Sequence, residues 1–225
     1  MILPGAVLGV LGGGQLGRMF TVRAREMGYR VIVLDPDRGS PAGAIANHHI
    51  AAQYDDPIAL EEMATKCAAI TVEFENVPAD VLAGLAERVP VRPGPEAVAI
   101  AQDRIVEKRY LEHEGFPTTA FQVVKGPDDL ARAWDAVGPP ALLKTARLGY
   151  DGKGQAWVAD PESLADAFAG FRGAPCILER RLDLEAELSV VLARGVDGEV
   201  ACFPPIENVH LNGILYTSTV PARVT

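Results

Sequence analysis

Short apolar runs alternate with helically spaced apolar positions through the first hundred residues, the rhythm of a parallel sheet covered by helices. The runs are Ala6–Leu11, Val31–Leu34 and Ile70–Phe74. Between the first two, Leu16, Met19, Phe20, Ala24 and Met27 recur at helical spacing, predicting a helix with one buried face that stops at Gly28. Asp56 followed by Pro57 predicts an N-cap and a helix through about Lys66, and Pro78 opens a second helix over Ala79–Arg88. The turn residues Val91 to Pro95 then mark a boundary between two domains, residues 1–95 and 96–225. Beyond it Asp103 caps a helix that ends at Gly115. The pattern turns to strand, helix, strand over Ala120–Val124, Asp128–Val137 and Ala141–Lys144. A glycine-rich loop from Leu148 to Gly154 leads into a strand at Gln155–Ala159, a helix at Pro161–Phe171 and a strand at Cys176–Arg180. Antiparallel strands Leu188–Ala193 and Val200–Phe203 follow, joined by the turn Gly195–Gly198.

Composition narrows the classes. With 225 residues, 48% of them hydrophobic and 23% charged, the chain is long enough for two modest cores. A net charge of -9 argues against nucleic acid as a partner, because nothing is basic enough to displace its counterions. Cys67, Cys176 and Cys202 form no C-x-x-C pair, which suggests neither a disulfide framework nor a zinc site and fits a reducing cytoplasm. The apolar start lacks a basic leader, and no stretch is long enough to span a bilayer.

Three segments could carry chemistry. Gly12-Gly13-Gly14-Gln15-Leu16-Gly17 follows a strand and opens a helix, with Asp35 ending the next strand. That pattern suits a dinucleotide, another phosphate held by backbone N–H groups, or a purely structural tight turn. Lys144 ends a strand ahead of Gly149-Tyr150-Asp151-Gly152-Lys153-Gly154-Gln155. A lysine on a strand beside a closing glycine loop suits a triphosphate, although a hairpin with two solvated lysines would look the same. Glu179-Arg180-Arg181-Leu182, with Glu187 beyond, could offer backbone groups to an adenine edge and a carboxylate to ribose, or form a charged surface. Glu73 sits at the ligand-binding end of a strand. His210 reads equally as a core or surface histidine, and His48 with His49 as a loop pair lacking a third metal ligand.

Taken together, Gly14–Met19, the segment Glu73-Phe74-Glu75-Asn76-Val77-Pro78, Lys144 with Gly149–Gln155, and Glu179 to Glu187 resemble the 5-(carboxyamino)imidazole ribonucleotide synthases of the ATP-grasp superfamily, in order and spacing, across essentially the whole chain. The resemblance implies an α/β fold: a parallel-sheet pre-ATP-grasp domain followed by an incomplete ATP-grasp α+β domain, with a lid subdomain at about 118–180. It implies ATP-dependent carboxylation of aminoimidazole ribonucleotide with bicarbonate, ATP and magnesium as cofactors, and a homodimer. ATP would meet Arg104, Lys144, Gly149, Tyr150, Asp151, Gly152, Lys153, Gly154, Gln155, Glu179, Arg180, Arg181, Leu182, Glu187 and His210. Lys144, Lys153 and Asp151 would stand closest to the chemistry, and Gln15, Leu16 and Glu73 would meet the ribonucleotide. The family's magnesium ligands and its Arg-x-His-Asn segment are expected beyond Thr225, so this chain is expected to supply no metal ligand. The rivals are a formate-using glycinamide ribonucleotide transformylase of the same architecture, a dinucleotide-dependent oxidoreductase using Gly12–Gly17 and Asp35, and a nucleotide-sensing module without catalysis.

Overall fold

A computed structural model describes residues 1–149, 153–211 and 214–223. The chain divides into two compact units, Met1–Tyr110 and Leu111–Thr225.

The first unit runs β1 (Val7–Leu11), α1 (Gln15–Glu26), β2 (Arg30–Leu34), β3 (His48–Ile50), α2 (Pro57–Lys66), β4 (Ala69–Val72), α3 (Ala79–Ala86) and α4 (Pro95–Ala101), then enters α5 (Arg104–His113). Its four strands form a parallel sheet in the order β3-β2-β1-β4. Alternation along β2 divides the core. Val31 and Val33 join Val10 and Ala24 on the side of α1, whereas Ile32 and Leu34 join Met63, Ile70 and Leu82 on the side of α2 and α3. Helix α2 starts where the sequence places it, because the Asp56 carboxylate accepts from the N–H groups of Ile58 and Ala59 and Pro57 has no N–H that needs an acceptor.

Helix α1 turns a different face inward from the one its apolar stripe suggests. Its buried residues are Gly17, Thr21 and Ala24, while Leu16 and Met19 are 65% and 63% exposed and Met27 is exposed as well. The reason is proximity: a Cβ on Gly17 would lie 2.9 Å from the Gly12 carbonyl oxygen, so only small side chains fit beneath the helix. Thr21 is tolerated there because its hydroxyl donates to the Gly17 carbonyl at 2.7 Å. His48 and His49 are likewise not in a loop but on the short edge strand β3, where His48 approaches Glu62 at 3.0 Å and the His49 Nε2 lies 3.1 Å from the Asp35 carbonyl. Three residues without alternating apolarity leave too weak a strand signal to read. Helix α4 also went unpredicted, its start concealed by the turn-rich Val91–Pro95 segment.

The second unit contains β5 (Phe121–Val124), α6 (Leu130–Val137), β6 (Ala141–Thr145), β7 (Gln155–Val158), α7 (Pro161–Gly170) and β8 (Cys176–Arg180), with β5-β8-β6-β7 forming an antiparallel sheet. Ala141, Leu143, Val158, Cys176 and Leu178 point to one face and pack with Val137 of α6 and Leu164 and Phe168 of α7. Asp160 and Ser163 cap α7 reciprocally. The opposite face carries Leu142, Lys144, Trp157 and Glu179, since successive strand residues alternate sides. The remainder comprises β9 (Glu187–Ser189), β10 (Leu192–Arg194), β11 (Val200–Cys202), β12 (Ile206–Leu211) and β13 (Ile214–Thr219). The run expected as one strand, Leu188–Ala193, is divided: β9 pairs with β12 in a three-stranded sheet, and β10 pairs with β11 around the Gly195–Gly198 turn. Apolar character continues through Val190 and Val191, so periodicity alone does not reveal the break.

Candidate active site

Two constellations emerge, one in each unit, and each is described within its own unit.

In the first unit, the loop after β1 and the residues after β4 lie side by side at the carboxyl ends of adjacent strands. Here the strand order reverses, because the chain steps outward from β1 to β2 and β3 and then crosses back to place β4 on the other side of β1, and parallel sheets open their crevice at such a point. Gly12 has a φ of +105°, and a Cβ there would fall 2.3 Å from the Glu73 Cγ, so glycine lets the loop and Glu73 pack together. Glu73 Oε2 accepts from the Gly17 N–H at 2.7 Å. Helix α1 has no side-chain cap of its own and no acidic residue in its first turn, so Glu73 supplies the negative charge at its amino end from another strand. Gln15 and Leu16, at the start of the same helix, are exposed.

Asp35 holds the other side of the loop. Its Oδ2 accepts from the Gly13 N–H at 2.7 Å and from the Tyr54 hydroxyl at 2.9 Å, and its Oδ1 accepts from the Asp37 N–H at 2.8 Å. Burial, the hydrogen bond to Asp35, and the charges of Asp35 and Glu73 hold the Tyr54 phenol protonated well above its ordinary range. The carboxylate that a dinucleotide site would turn toward a ribose is committed here to the fold. Two backbone donors of the glycine loop, Gly13 and Gly17, are likewise engaged by carboxylates, which leaves the loop poorly suited to cradling a phosphate. The sequence marked Asp35 as part of a possible dinucleotide pattern; only the structure reveals its role as a clamp.

In the second unit, Lys144 on β6 and Glu179 on β8 are diagonal neighbours on the open sheet face, because Lys144 pairs with Ile177 and Leu142 with Glu179. Lys144 Nζ donates to Glu179 Oε2 at 2.6 Å, with the lysine side chain 25% and the glutamate side chain 8% exposed. A charge this well buried needs its partner, and the pair presents a fixed ammonium at the floor of a cavity of about 230 Å³. Thr119, Leu142, Trp157, Leu182 and Leu184 complete the apolar part of that cavity. Gln155 opens β7 in register with Lys144, and the Gly154 carbonyl accepts from the Thr145 N–H at 2.8 Å, which brings the far end of the glycine loop back to the sheet. Tyr150, Asp151 and Gly152 lie outside the described residues.

The remaining candidates separate by environment. The Arg180 guanidinium donates to the Val137 carbonyl and so ties β8 to the end of α6, a structural use of that side chain. Arg181 donates its N–H to the Pro140 carbonyl at 2.9 Å and lays its guanidinium over the Trp157 ring, 5.1 Å from the centroid. Glu187 on β9 and His210 on β12 meet through Oε2 and Nδ1 at 2.7 Å, next to a register shift between Val209 and His210 in the pairing of β12 with β13. Arg104 begins α5 and belongs to the first unit. Trp157 was missed by the sequence reading. Its two-residue spacing from Gln155 in a predicted strand, which puts both side chains on one face, was the available signal.

Comparison with known proteins gives this geometry its class. Residues 6–102 match the ribonucleotide synthetase preATP-grasp domain and residues 109–225 match the ATP-grasp domain. The chain belongs to the ATP-grasp family.

Within that family its likeness is to the PurK type. It is 47% identical over 224 residues to the N5-carboxyaminoimidazole ribonucleotide synthase of Brucella melitensis, covering 99% of this chain and 62% of that protein. The structure of the Staphylococcus aureus N5-carboxyaminoimidazole synthetase complexed with ADP superposes with a TM-score of 0.95 at 38% identity, covering 99% of this chain and 60% of that one. The Aspergillus clavatus enzyme in complex with ADP and 5-aminoimidazole ribonucleotide gives a TM-score of 0.87 at 28% identity, covering 100% of this chain and 59% of that one. The chain thus spans about three fifths of the length of the curated relatives it matches.

Proposed function

We propose that the protein carrying this chain carboxylates 5-aminoimidazole ribonucleotide at the expense of ATP in purine biosynthesis. Bicarbonate oxygen attacks the γ-phosphorus of ATP, ADP leaves, and the carboxyphosphate so formed breaks down to carbon dioxide and phosphate. The exocyclic amine of the ribonucleotide captures the carbon dioxide and loses a proton, giving 5-(carboxyamino)imidazole ribonucleotide. The observation that carries this reading is the Lys144–Glu179 pair at the floor of an apolar cavity, beside the glycine segment that ends at Gln155.

In this scheme the protein positions reactants, neutralises phosphate charge and excludes water from carboxyphosphate. Lys144 and Lys153 balance the phosphates, and Asp151 with the rest of Gly149–Gln155 also meets ATP. The Glu179–Leu182 segment meets the base, Glu187 the ribose with His210 behind it, and Arg104 adds a further charge contact to ATP. Gln15, Leu16 and Glu73 serve the ribonucleotide. Residues 1–95 then form the ribonucleotide-side domain and 96–225 the ATP side, with a lid at about 118–180. No proton transfer is assigned to a side chain. Magnesium accompanies ATP in this scheme; among the described residues no group of three or more His, Cys, Asp or Glu could hold a metal, so no metal-binding role is assigned to them. ADP in the Staphylococcus aureus complex and ADP with aminoimidazole ribonucleotide in the Aspergillus clavatus complex favour this substrate set. We further place the protein in the cytoplasm as a homodimer. Among the described residues no helix is long and apolar enough to cross a membrane.

The test is twofold. Calorimetry should give tight binding of ATP with magnesium and far weaker binding of NAD, and the reverse order would end the proposal. Release of ADP should then require both aminoimidazole ribonucleotide and bicarbonate; formate with glycinamide ribonucleotide in their place would point to the sister ligase.

A further inference from the structure

We infer that Trp157 is a base-stacking residue of the nucleotide cavity, an assignment that rests on the nucleotide reading of that cavity. The indole is 63% exposed, an uncommon position for the largest apolar side chain, and it stands on the sheet face away from α6 and α7. Its neighbours explain what it can do. Across the sheet it pairs with Leu142, and Leu142 pairs with Glu179, so one row carries the ring, an aliphatic floor and the anchored carboxylate. The Arg181 guanidinium lies over the ring, and the main-chain bond from Arg181 to Pro140 fixes the strand exit from which that side chain reaches. Leu182 and Leu184 stand exposed along the same exit, completing an apolar slot with a charged end at Lys144 and Glu179.

A cavity of about 230 Å³ is smaller than the roughly 300–1,000 Å³ of sites that enclose a drug-sized ligand. It suits a flat heteroaromatic base whose sugar and phosphates extend outside it. Every base offers a π-face, so stacking on Trp157 adds affinity without selecting among bases. Discrimination between adenine and guanine then falls to the main chain of Glu179–Leu182.

The experiment combines calorimetry with fluorescence on the whole protein. The tryptophans of this chain are Trp134 and Trp157, so Trp134→Phe leaves Trp157 as the only one within it. Saturating ADP should change the emission of Trp134→Phe clearly more than that of Trp157→Phe. Trp157→Ala and Trp157→Leu should each weaken ADP about tenfold, and Trp157→Phe by no more than about threefold, because the ring is retained. GDP, which binds less tightly throughout, should lose affinity by the same factor. The inference is overturned if Trp157→Ala binds ADP within about twofold of the unsubstituted protein, or if the leucine variant binds as well as the phenylalanine one, since stacking would then add none of its expected contribution. Failure of the unsubstituted protein to bind ADP would instead overturn the nucleotide reading itself, and this inference with it.

Discussion

Replacing Glu73 should reveal two roles for one carboxylate. In Glu73→Ala the Gly17 N–H loses its acceptor, and α1, with no side-chain cap and no acid in its first turn, loses the negative charge at its amino end. A lost cap costs about 0.5–2 kcal/mol. A lost hydrogen bond to a charged group costs about 1.5–3 kcal/mol. Both figures describe the same contact, so the expected loss is about 2 kcal/mol rather than their sum. Glu73→Gln keeps an oxygen acceptor and gives up only the interaction of charge with helix dipole, about 0.3–1 kcal/mol. Urea titration followed by circular dichroism should therefore order the proteins as unsubstituted, Gln, then Ala. Kinetics separate the second role: in both variants the Michaelis constant for aminoimidazole ribonucleotide should rise, by about tenfold to a hundredfold for Ala, while ATP binding stays nearly unchanged. An unfolding midpoint for Glu73→Ala equal to that of the unsubstituted protein would refute the capping argument. Equal damage to ATP use would refute the division of labour between the two constellations.

Asp35→Asn should destabilise the first unit by about 1–3 kcal/mol, because all three groups bonded to the carboxylate are donors and an amide must turn an NH2 toward at least one of them; an unchanged denaturation midpoint would contradict this. Lys144→Ala should weaken ATP by about 1–3 kcal/mol and also lower stability, since it removes the ion-pair bond that Lys144 makes to the nearly buried Glu179. Calorimetry finding full ATP affinity in that variant would move the phosphate site elsewhere. Stability should also fall in alkali: burial pushes the Cys67 and Cys176 thiols up from 9.0 to about 11, so the folded state holds protons that the unfolded chain releases. Their contribution is complete below about pH 9 and is lost as pH rises through about 11, at no more than about 1.4 kcal/mol per pH unit for each thiol. Tyr54, also raised, adds to the decline at still higher pH. Denaturant midpoints measured across this range should fall less steeply in Cys176→Ala, and an identical slope would rule the thiol out.

Local chemistry determined much of this protein. Asp56 with Pro57 sets the start of α2, Cys176–Arg180 forms a strand with the bounds its apolar run suggests, and the order of runs and helical patterns specifies a parallel sheet and, later, an antiparallel pair around Gly195–Gly198. Such signals are carried by neighbours in sequence, through hydrogen bonds and side-chain periodicity that act within a few residues. Lys144 and Glu179 were also legible as polar residues ending apolar strands, although their 35-residue separation conceals the bond between them. Tertiary structure decided what depends on distance between elements. It chose which face of α1 is buried, because the closeness of that helix to the Gly12 loop excludes large side chains that periodicity alone would send inward. It made Asp35 a clamp on the glycine loop and gave Glu73 a capping bond to the same loop, across 22 and 56 residues of chain. It divided the Leu188–Ala193 run between two sheets and set Arg181 over Trp157. A residue's neighbours in sequence fix its backbone preference, but its hydrogen-bond and packing partners come from elements that only the folded chain brings within reach.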